Sequence, residues 1–301
     1  EINRLYEVVE KLKKKELKVT KRKTLISLNP ISRLNNEIHS LVSKKQKEIK
    51  QLKKLELYRR EFLADVSHEL KTPIFAAQGY IHTLLDGAVD DLEVRDKFLR
   101  KAAKSLDSLN KLVQDLLTLS KMEAGVLKIT LEPIDFAELV RNAFEKYEQM
   151  AIQHTVTLDF IDETNGNAWI NADAYRMLLA ISNLIENGIK YGKENGHVEA
   201  LLQRRGGMLF FEIKDDGIGI PSEHIDRIFE RFYRIDRSRT KERGGSGLGL
   251  SIVKQILKLH QVDIQVKSKP KKGTIFSFEI QTIAPPAEKP NSLNALNNTA
   301  S

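Results

Sequence analysis

The stretch "KMEAGVLKITLEPIDF", Lys121 to Phe136, divides the chain. Before it, apolar residues recur at helical spacing. Helical character stops at Gly125, and the alternation of Val126, Leu127, Ile129 and Leu131 has the period of a strand. Upstream, the spacing predicts one long helix from about Ile31 to about Leu85. Leu34, Ile38, Leu41, Ile49, Leu52 and Leu55 form a narrow stripe resembling a coiled-coil seam that lapses at Lys45. A turn cluster, Asp86 to Glu93, precedes a second helix from about Leu92 to Met122. Its stripe is Phe98, Ala102, Leu106, Leu109, Val113, Leu116 and Leu117. Two such helices make an antiparallel hairpin with too little partner surface of its own, so a dimeric four-helix bundle is expected. Downstream, helix-like segments (135–152, 173–190, 247–260) alternate with strand-like ones (154–161, 167–171, 197–204, 208–214, 262–268, 274–280). The fold class is therefore multidomain: an α-helical hairpin, then an α+β domain.

Composition bounds the function. The 301 residues suffice for two domains plus an extra segment. There is no cysteine, which excludes disulfides, thiol nucleophiles and thiolate-bound zinc. No apolar run reaches the ~20 residues of a membrane span; the chain begins at Glu1 rather than Met, and a span upstream stays open. Residues 1–60 hold 18 Lys/Arg against 7 Asp/Glu, while the rest hold 31 against 34. The basicity thus belongs to the N-terminal segment, as a solvated helix surface or a cytoplasmic juxtamembrane stretch. Nucleic acid is disfavoured, because aromatics are scarce there and no DNA-binding motif occurs.

Three stretches of the second domain carry candidate chemistry. In "SNLIENGIKYG", Ser182 to Gly192, the residues Asn183, Asn187 and Lys190 share one helix face, opposite Leu178, Ile181, Leu184 and Ile185. Two carboxamides and an ammonium suit a hydrated divalent cation and phosphates; a merely polar exposed face is the plainer reading of this stretch alone. "IKDDGIGIP", Ile213 to Pro221, sets two alternate glycines after an acidic pair. A carboxylate there can accept from an exocyclic amine such as that of adenine, although an Asp-Gly turn would look the same. "GGSGLGLSIVKQI", Gly244 to Ile256, is a glycine-rich loop entering a helix, where free N–H groups and the helix N-terminus favour phosphate. It is neither a Walker A nor a dinucleotide pattern. Between the glycine segments, the arginines and aromatics of "RIFERFYRIDRSRT", Arg227 to Thr240, suit a lid over a polyphosphate.

In "FLADVSHELKTPI", Phe62 to Ile74, His68 has context that the other six histidines lack. Glu69 can orient or deprotonate the imidazole, leaving one ring nitrogen free to attack phosphorus. Thr72 lies one turn on, where its hydroxyl could position a water. Pro73 cannot bond the Glu69 carbonyl, and a kink just below the histidine is expected.

The ordered set resembles the sensor histidine kinases of bacterial two-component systems. These join a HisKA dimerisation hairpin to a GHKL (Bergerat-fold) ATP-binding domain with a mixed sheet. The resemblance covers about residues 55–282 and implies ATP and Mg2+ as cofactors. It implies His68 as phosphoacceptor, Glu69 as general base, and Thr72 in dephosphorylating a partner regulator. It further implies Asn187 as magnesium ligand with Asn183 beside it, Lys190 and Tyr191 near the phosphates, and Asp215 reading the adenine amine. Gly217 and Gly219 would shape that pocket, Arg234 would stabilise the transferring phosphoryl, and Gly245, Gly247, Leu248 and Gly249 would line the triphosphate. The partners implied are a second copy of the chain and a response-regulator receiver domain, with a membrane-spanning region upstream. Another GHKL-type ATPase and a nucleotide-free pseudokinase scaffold are the alternatives.

The expected organisation is a basic, HAMP-like segment (1–30), a signalling helix (31–54), the phosphotransfer hairpin (55–125), the ATP-binding domain (126–283) and a disordered tail (284–301). A signal through residues 1–54 would change the bend at Pro73 or the distance from His68 to the nucleotide. Two positions depart from the family pattern: Gly188 stands in place of alanine, and Gln261-Val262 in place of a glycine pair.

Overall fold

The computed structural model describes residues 30–235 and 245–286. The segment 1–29, most of the C-terminal tail and residues 236–244 of the expected lid lie outside them.

Helix α1 runs unbroken over Pro30–Leu85, passing through Pro73. In its N-terminal part, to Val66, the seam residues Ile38, Leu41, Ile49 and Leu52 are exposed. From Ser67 onward α1 pairs with α2, Leu92–Glu123. Gly87, at φ 109°, turns the chain out of α1. Asp91 then caps α2 by accepting from the N–H groups of Glu93 and Val94 at 3.0 and 3.2 Å. Ala77, Leu84, Ala102, Leu112, Leu119 and Met122 are buried, and the Tyr80 and Phe98 rings meet at 5.5 Å. The hairpin leaves much of its apolar surface in water: Phe75, Ile81, Leu106, Val113 and Leu117 are all exposed.

The α+β domain has a five-stranded sheet in the order β2-β4-β5-β7-β6. Its strands are β2 (Thr157–Glu163), β4 (His197–Arg205), β5 (Met208–Asp215), β6 (Gln265–Lys269) and β7 (Gly273–Gln281). The β2–β4 pair is parallel and the others antiparallel, so the sheet is mixed. Alternation buries one face through Val198, Ala200, Leu202, Leu209, Phe211, Ile213, Phe276, Phe278 and Ile280. Three helices supply the rest of the core: α3 (Phe136–Gln153), α4 (Ala174–Tyr191) and α5 (Gly249–Leu259). Phe136 sits against Phe211 and Phe278 at centroid distances of 5.5 and 6.1 Å. Helix α4, which carries the Asn-rich face, packs between α3 and α5.

Three strand expectations are corrected. Residues 126–131 form no strand, because their N–H groups are used elsewhere. Leu127 donates to the Lys121 carbonyl at 3.2 Å and Thr130 to the Asp173 carboxylate at 3.2 Å. The first strand is β1, Glu132–Asp135, paired antiparallel with β3, Trp169–Ala172, in a separate two-stranded sheet. Residues 154–156 and 262 are helix closures rather than strand. Thr155 and Gln261 take left-handed φ of 53° and 60°, and the N–H groups of Val156 and Val262 return to Ala151 and Leu257.

Candidate active site

Helix α4 begins at a buried knot. The Asp173 carboxylate accepts from the Arg176 N–H at 3.1 Å, and the Asp173 N–H donates to His260 Nε2 at 3.0 Å. His260 Nδ1 faces the Ile256 carbonyl at 2.8 Å and so carries the proton. His260 is thus a structural clamp between α4 and α5. Along α4, Asn183 is buried while Asn187 and Lys190 are half-buried, so the face is lined rather than freely solvated. Leu178 is half-buried and borders a groove instead of filling the core. The Asn183 amide donates to the Leu179 carbonyl at 2.9 Å, and a Cβ on Gly249 would lie 2.7 Å from its Oδ1. Only glycine lets the start of α5 approach this amide so closely.

Asp215 ends β5, buried against the opposite wall. Its Oδ1 accepts from the Gly217 N–H at 2.9 Å. Burial pushes its carboxyl up to about 6, against the opposing effect of backbone N–H groups from Gly217 and Thr274. A carboxylate kept so poorly solvated has acceptor capacity for an amine donor. Gly217 and Gly219 are required by close approach. A Cβ at Gly217 would lie 2.2 Å from the Tyr191 carbonyl oxygen, and one at Gly219, where φ is 66°, 2.0 Å from that of Lys269. Ser268 braces the turn, accepting from the Ile220 N–H and donating to the Gly273 carbonyl, each at 2.8 Å. Asp216 does separate work: burial would raise its carboxyl, but the His197 N–H and the Lys193 ammonium hold it low.

The glycine loop enters α5 at Leu248, which is fully buried. Gly245 lies at the Lys190 ammonium, and Gly247 accepts from the N–H of Phe232, itself held at φ 58°. Asn183, Asn187, Lys190 and the 245–249 loop therefore share one region, with Tyr191 joining it to the Asp215 turn. The donor set suits magnesium: amide oxygens on one side, room for phosphate oxygens and water on the other, and no caging carboxylates. Among the described residues no group of three or more His, Cys, Asp or Glu could hold a metal alone.

His68 stands on α1 with its side chain 68% exposed, and its Nδ1 lies 3.6 Å from a Glu69 oxygen. That leaves Nε2 directed away from the carboxylate. The Thr72 hydroxyl donates to the His68 carbonyl at 3.2 Å, occupying its proton within the helix. Arg234 is drawn to the same place: its Nη1 is 4.0 Å from the second Glu69 oxygen, and its side chain is only 11% exposed. Arg231 pairs with Glu123.

Several participants escaped sequence reasoning. Lys111 on α2 bonds both oxygens of Glu186 at 2.7 and 2.6 Å, Lys190 bonds the same carboxylate at 2.7 Å, and Ser246 lies 3.4 Å from Asp115. Lys111, Asp115 and Glu186 line a cleft of about 330 Å³ together with Tyr147, Ser182 and Asn183. Burial, then the Glu186 charge, pushes the Tyr147 phenol up to about 12. No local pattern marks Lys111 or Glu186, because charged residues on helices are ordinarily solvated.

Comparison with known proteins gives two domain matches. "His Kinase A (phospho-acceptor) domain" matches residues 58–125, and "Histidine kinase-, DNA gyrase B-, and HSP90-like ATPase" matches 172–283. The chain is 31% identical over 258 residues to the sensor histidine kinase WalK of Bacillus subtilis (strain 168), an alignment covering 85% of this chain and 42% of that protein. It thus spans about two-fifths of that relative's length. Among solved structures, the histidine kinase AdeS of Acinetobacter baumannii matches with a TM-score of 0.59 and 26% identity, over 72% of this chain and 98% of that one. Full-length ShkA in complex with AMPPNP matches with a TM-score of 0.57 and 26% identity, over 75% of this chain and 47% of that one. The chain belongs to the two-component sensor histidine kinases, with a phosphoacceptor hairpin joined to a GHKL-type ATPase domain.

Proposed function

We propose that this chain is the kinase portion of an ATP-dependent sensor histidine kinase that phosphorylates His68. The single observation that carries this is the meeting of Arg234, from the nucleotide-binding domain, with Glu69 beside His68. The AMPPNP bound in the ShkA relative supports ATP as donor. Asp215 accepts from the adenine amine, Asn187, with Asn183 beside it, would hold the magnesium ion, and Lys190 with the 245–249 loop takes the phosphates. Magnesium, when bound, neutralises the phosphate oxygens. His68 Nε2 attacks the γ-phosphorus as the bond to the ADP oxygen breaks. Glu69 balances the charge on the imidazole and takes the Nδ1 proton. The phosphoryl group then passes to an aspartate of a response-regulator receiver domain. Removing it from the regulator would need Thr72 to leave the His68 carbonyl and hold a water.

The exposed apolar residues of the hairpin support a homodimer. The domain boundaries we assign are a basic segment over 1–30, a signalling helix over 31–54, the hairpin over 55–125, the ATP-binding domain over 126–283 and a tail over 284–301. The basic charge of residues 1–60 supports a cytoplasmic position below a membrane span. Among the described residues no helix is long and apolar enough to cross a membrane.

Incubation with γ-labelled ATP should give acid-labile label on the chain, lost in His68→Gln without a change in thermal midpoint. Steady hydrolysis with no labelled protein would overturn the reading.

A further inference from the structure

Glu186 lies one residue before Asn187, on the helix face that meets the hairpin. Its side chain is 12% exposed and receives two ammonium groups. Lys190, the proposed phosphate ligand, reaches it from one turn along α4. Lys111 comes from α2 of the hairpin, 75 residues away in sequence, and bonds both carboxylate oxygens. Three features make this more than a surface pair. The Glu186 carboxylate is nearly buried, with the Lys190 ammonium 2.7 Å from one oxygen and the Lys111 ammonium 2.7 and 2.6 Å from the pair. The same lysine that pairs with Glu186 lies at Gly245 of the phosphate loop. Ser246, the next residue, lies 3.4 Å from Asp115, one turn along α2 from Lys111.

We infer that Glu186 is a positioning residue that couples nucleotide occupancy to docking of the hairpin, by dividing one carboxylate between Lys190 and Lys111. The inference rests on the ATP-site reading above. A single carboxylate shared by two cations holds each less tightly than it would hold one alone. When a triphosphate engages Lys190, the carboxylate is left to Lys111, and the contact between α4 and α2 strengthens. Linkage requires the converse. Without Lys111, Glu186 holds Lys190 more strongly and its own charge is less neutralised, and both effects oppose a triphosphate. The hairpin thus tunes nucleotide affinity through a residue that touches no nucleotide. Occupancy in turn favours the arrangement that brings Arg234 to Glu69.

The test is a double-mutant cycle on the purified chain, with AMPPNP affinity and autophosphorylation as readouts. Lys111→Ala should raise the AMPPNP Kd about three- to tenfold, corresponding to about 0.7–1.4 kcal/mol, and Lys111→Arg should restore most of it. In a Glu186→Gln background, Lys111→Ala should change the Kd less than twofold. Glu186→Gln alone frees Lys190 and should leave KM for ATP unraised, while kcat for His68 phosphorylation falls about fivefold or more. An unchanged Kd in Lys111→Ala, or an equal loss with and without Glu186, would overturn the coupling. Asn187→Ala keeps the two readings apart. If it leaves AMPPNP binding intact, the ATP-site assignment fails; if it abolishes binding while the cycle shows no coupling, only the role of Glu186 fails.

Discussion

His68 and Asp215 are the two ends of the proposed chemistry, and they are held in opposite ways. His68 projects from a helix into solvent, with one carboxylate near it and a hydroxyl that bonds its carbonyl. Asp215 is 9% exposed and walled by backbone: Gly217 and Thr274 donate to it, and a Cβ on Gly273 would come within 1.9 Å of its carbonyl oxygen. A phosphoacceptor, the role proposed for His68, would have to meet a nucleotide and then a regulator, so its surroundings must be open and its fold must not depend on it. A nucleotide pocket must be ready before the ligand arrives, so its walls are also the structure of the domain. Substitutions at the first end should change chemistry alone, and substitutions at the second should change chemistry and stability together.

The strongest way to break that contrast is Gly219→Ala. The new Cβ would meet the Lys269 carbonyl oxygen at 2.0 Å, at a φ of 66° that disfavours a side chain. Backbone must move on both sides. A loss of about 3 kcal/mol or more is expected, or about 6–12 °C in the thermal midpoint for a domain of this size. A midpoint within about 1 °C of the parent would show that the pocket wall yields.

Asp215→Asn sharpens the contrast, because there function and stability should both change, in opposite directions. Folding raises the Asp215 carboxyl from 3.8 to about 6, so the ionised form is the one the fold disfavours. Above pH 6 that displacement costs about 3 kcal/mol, and the cost disappears as pH falls through 6 toward 4. Asparagine can still accept from Gly217 but carries no charge. Asp215→Asn should therefore lose adenine nucleotide binding yet unfold at a higher temperature at pH 7.5, by about 1–2 kcal/mol of stability. That gain should shrink toward zero at pH 4. Urea titrations at the two pH values check the sign, and a variant less stable at pH 7.5 would refute it.

How much of this was legible depended on the distance between partners in sequence. The helices, the hairpin turn and the order of the three nucleotide motifs were readable because each rests on local spacing. His68 stood out because Glu69, Thr72 and Pro73 stand beside it, although the Thr72 hydroxyl donates to the helix backbone. Lys111 with Glu186 and Glu123 with Arg231 lie 75 and 108 residues apart. Nothing in a helix-surface charge announces such a partner. Strand β1 was misplaced for a related reason. The alternation over 126–131 is real, but the N–H groups of Leu127 and Thr130 go to Lys121 and Asp173, partners that only the fold supplies.

The two departures from the family pattern turn out to be different in kind. Gly188 is a packing choice: a Cβ there would meet the Val198 methyls at 3.0 and 3.2 Å, so alanine's helix propensity is offset by crowding against β4. Gln261 has no such compensation. It sits one residue past the cap of α5 at φ 60°, its N–H returning to Lys258 at 3.0 Å and that of Val262 to Leu257 at 2.9 Å. This is the left-handed closure that glycine makes without strain, and a glutamine there costs about 1 kcal/mol. Val262 is buried and must remain, so only the first glycine of the pair should help. Gln261→Gly should raise stability by about 0.5–1 kcal/mol, or about 1–4 °C. Nucleotide affinity should not change, because the closure lies at the far end of α5 from Gly249. A calorimetric midpoint that falls would mean that the glutamine side chain contributes a contact outweighing the strain of its backbone.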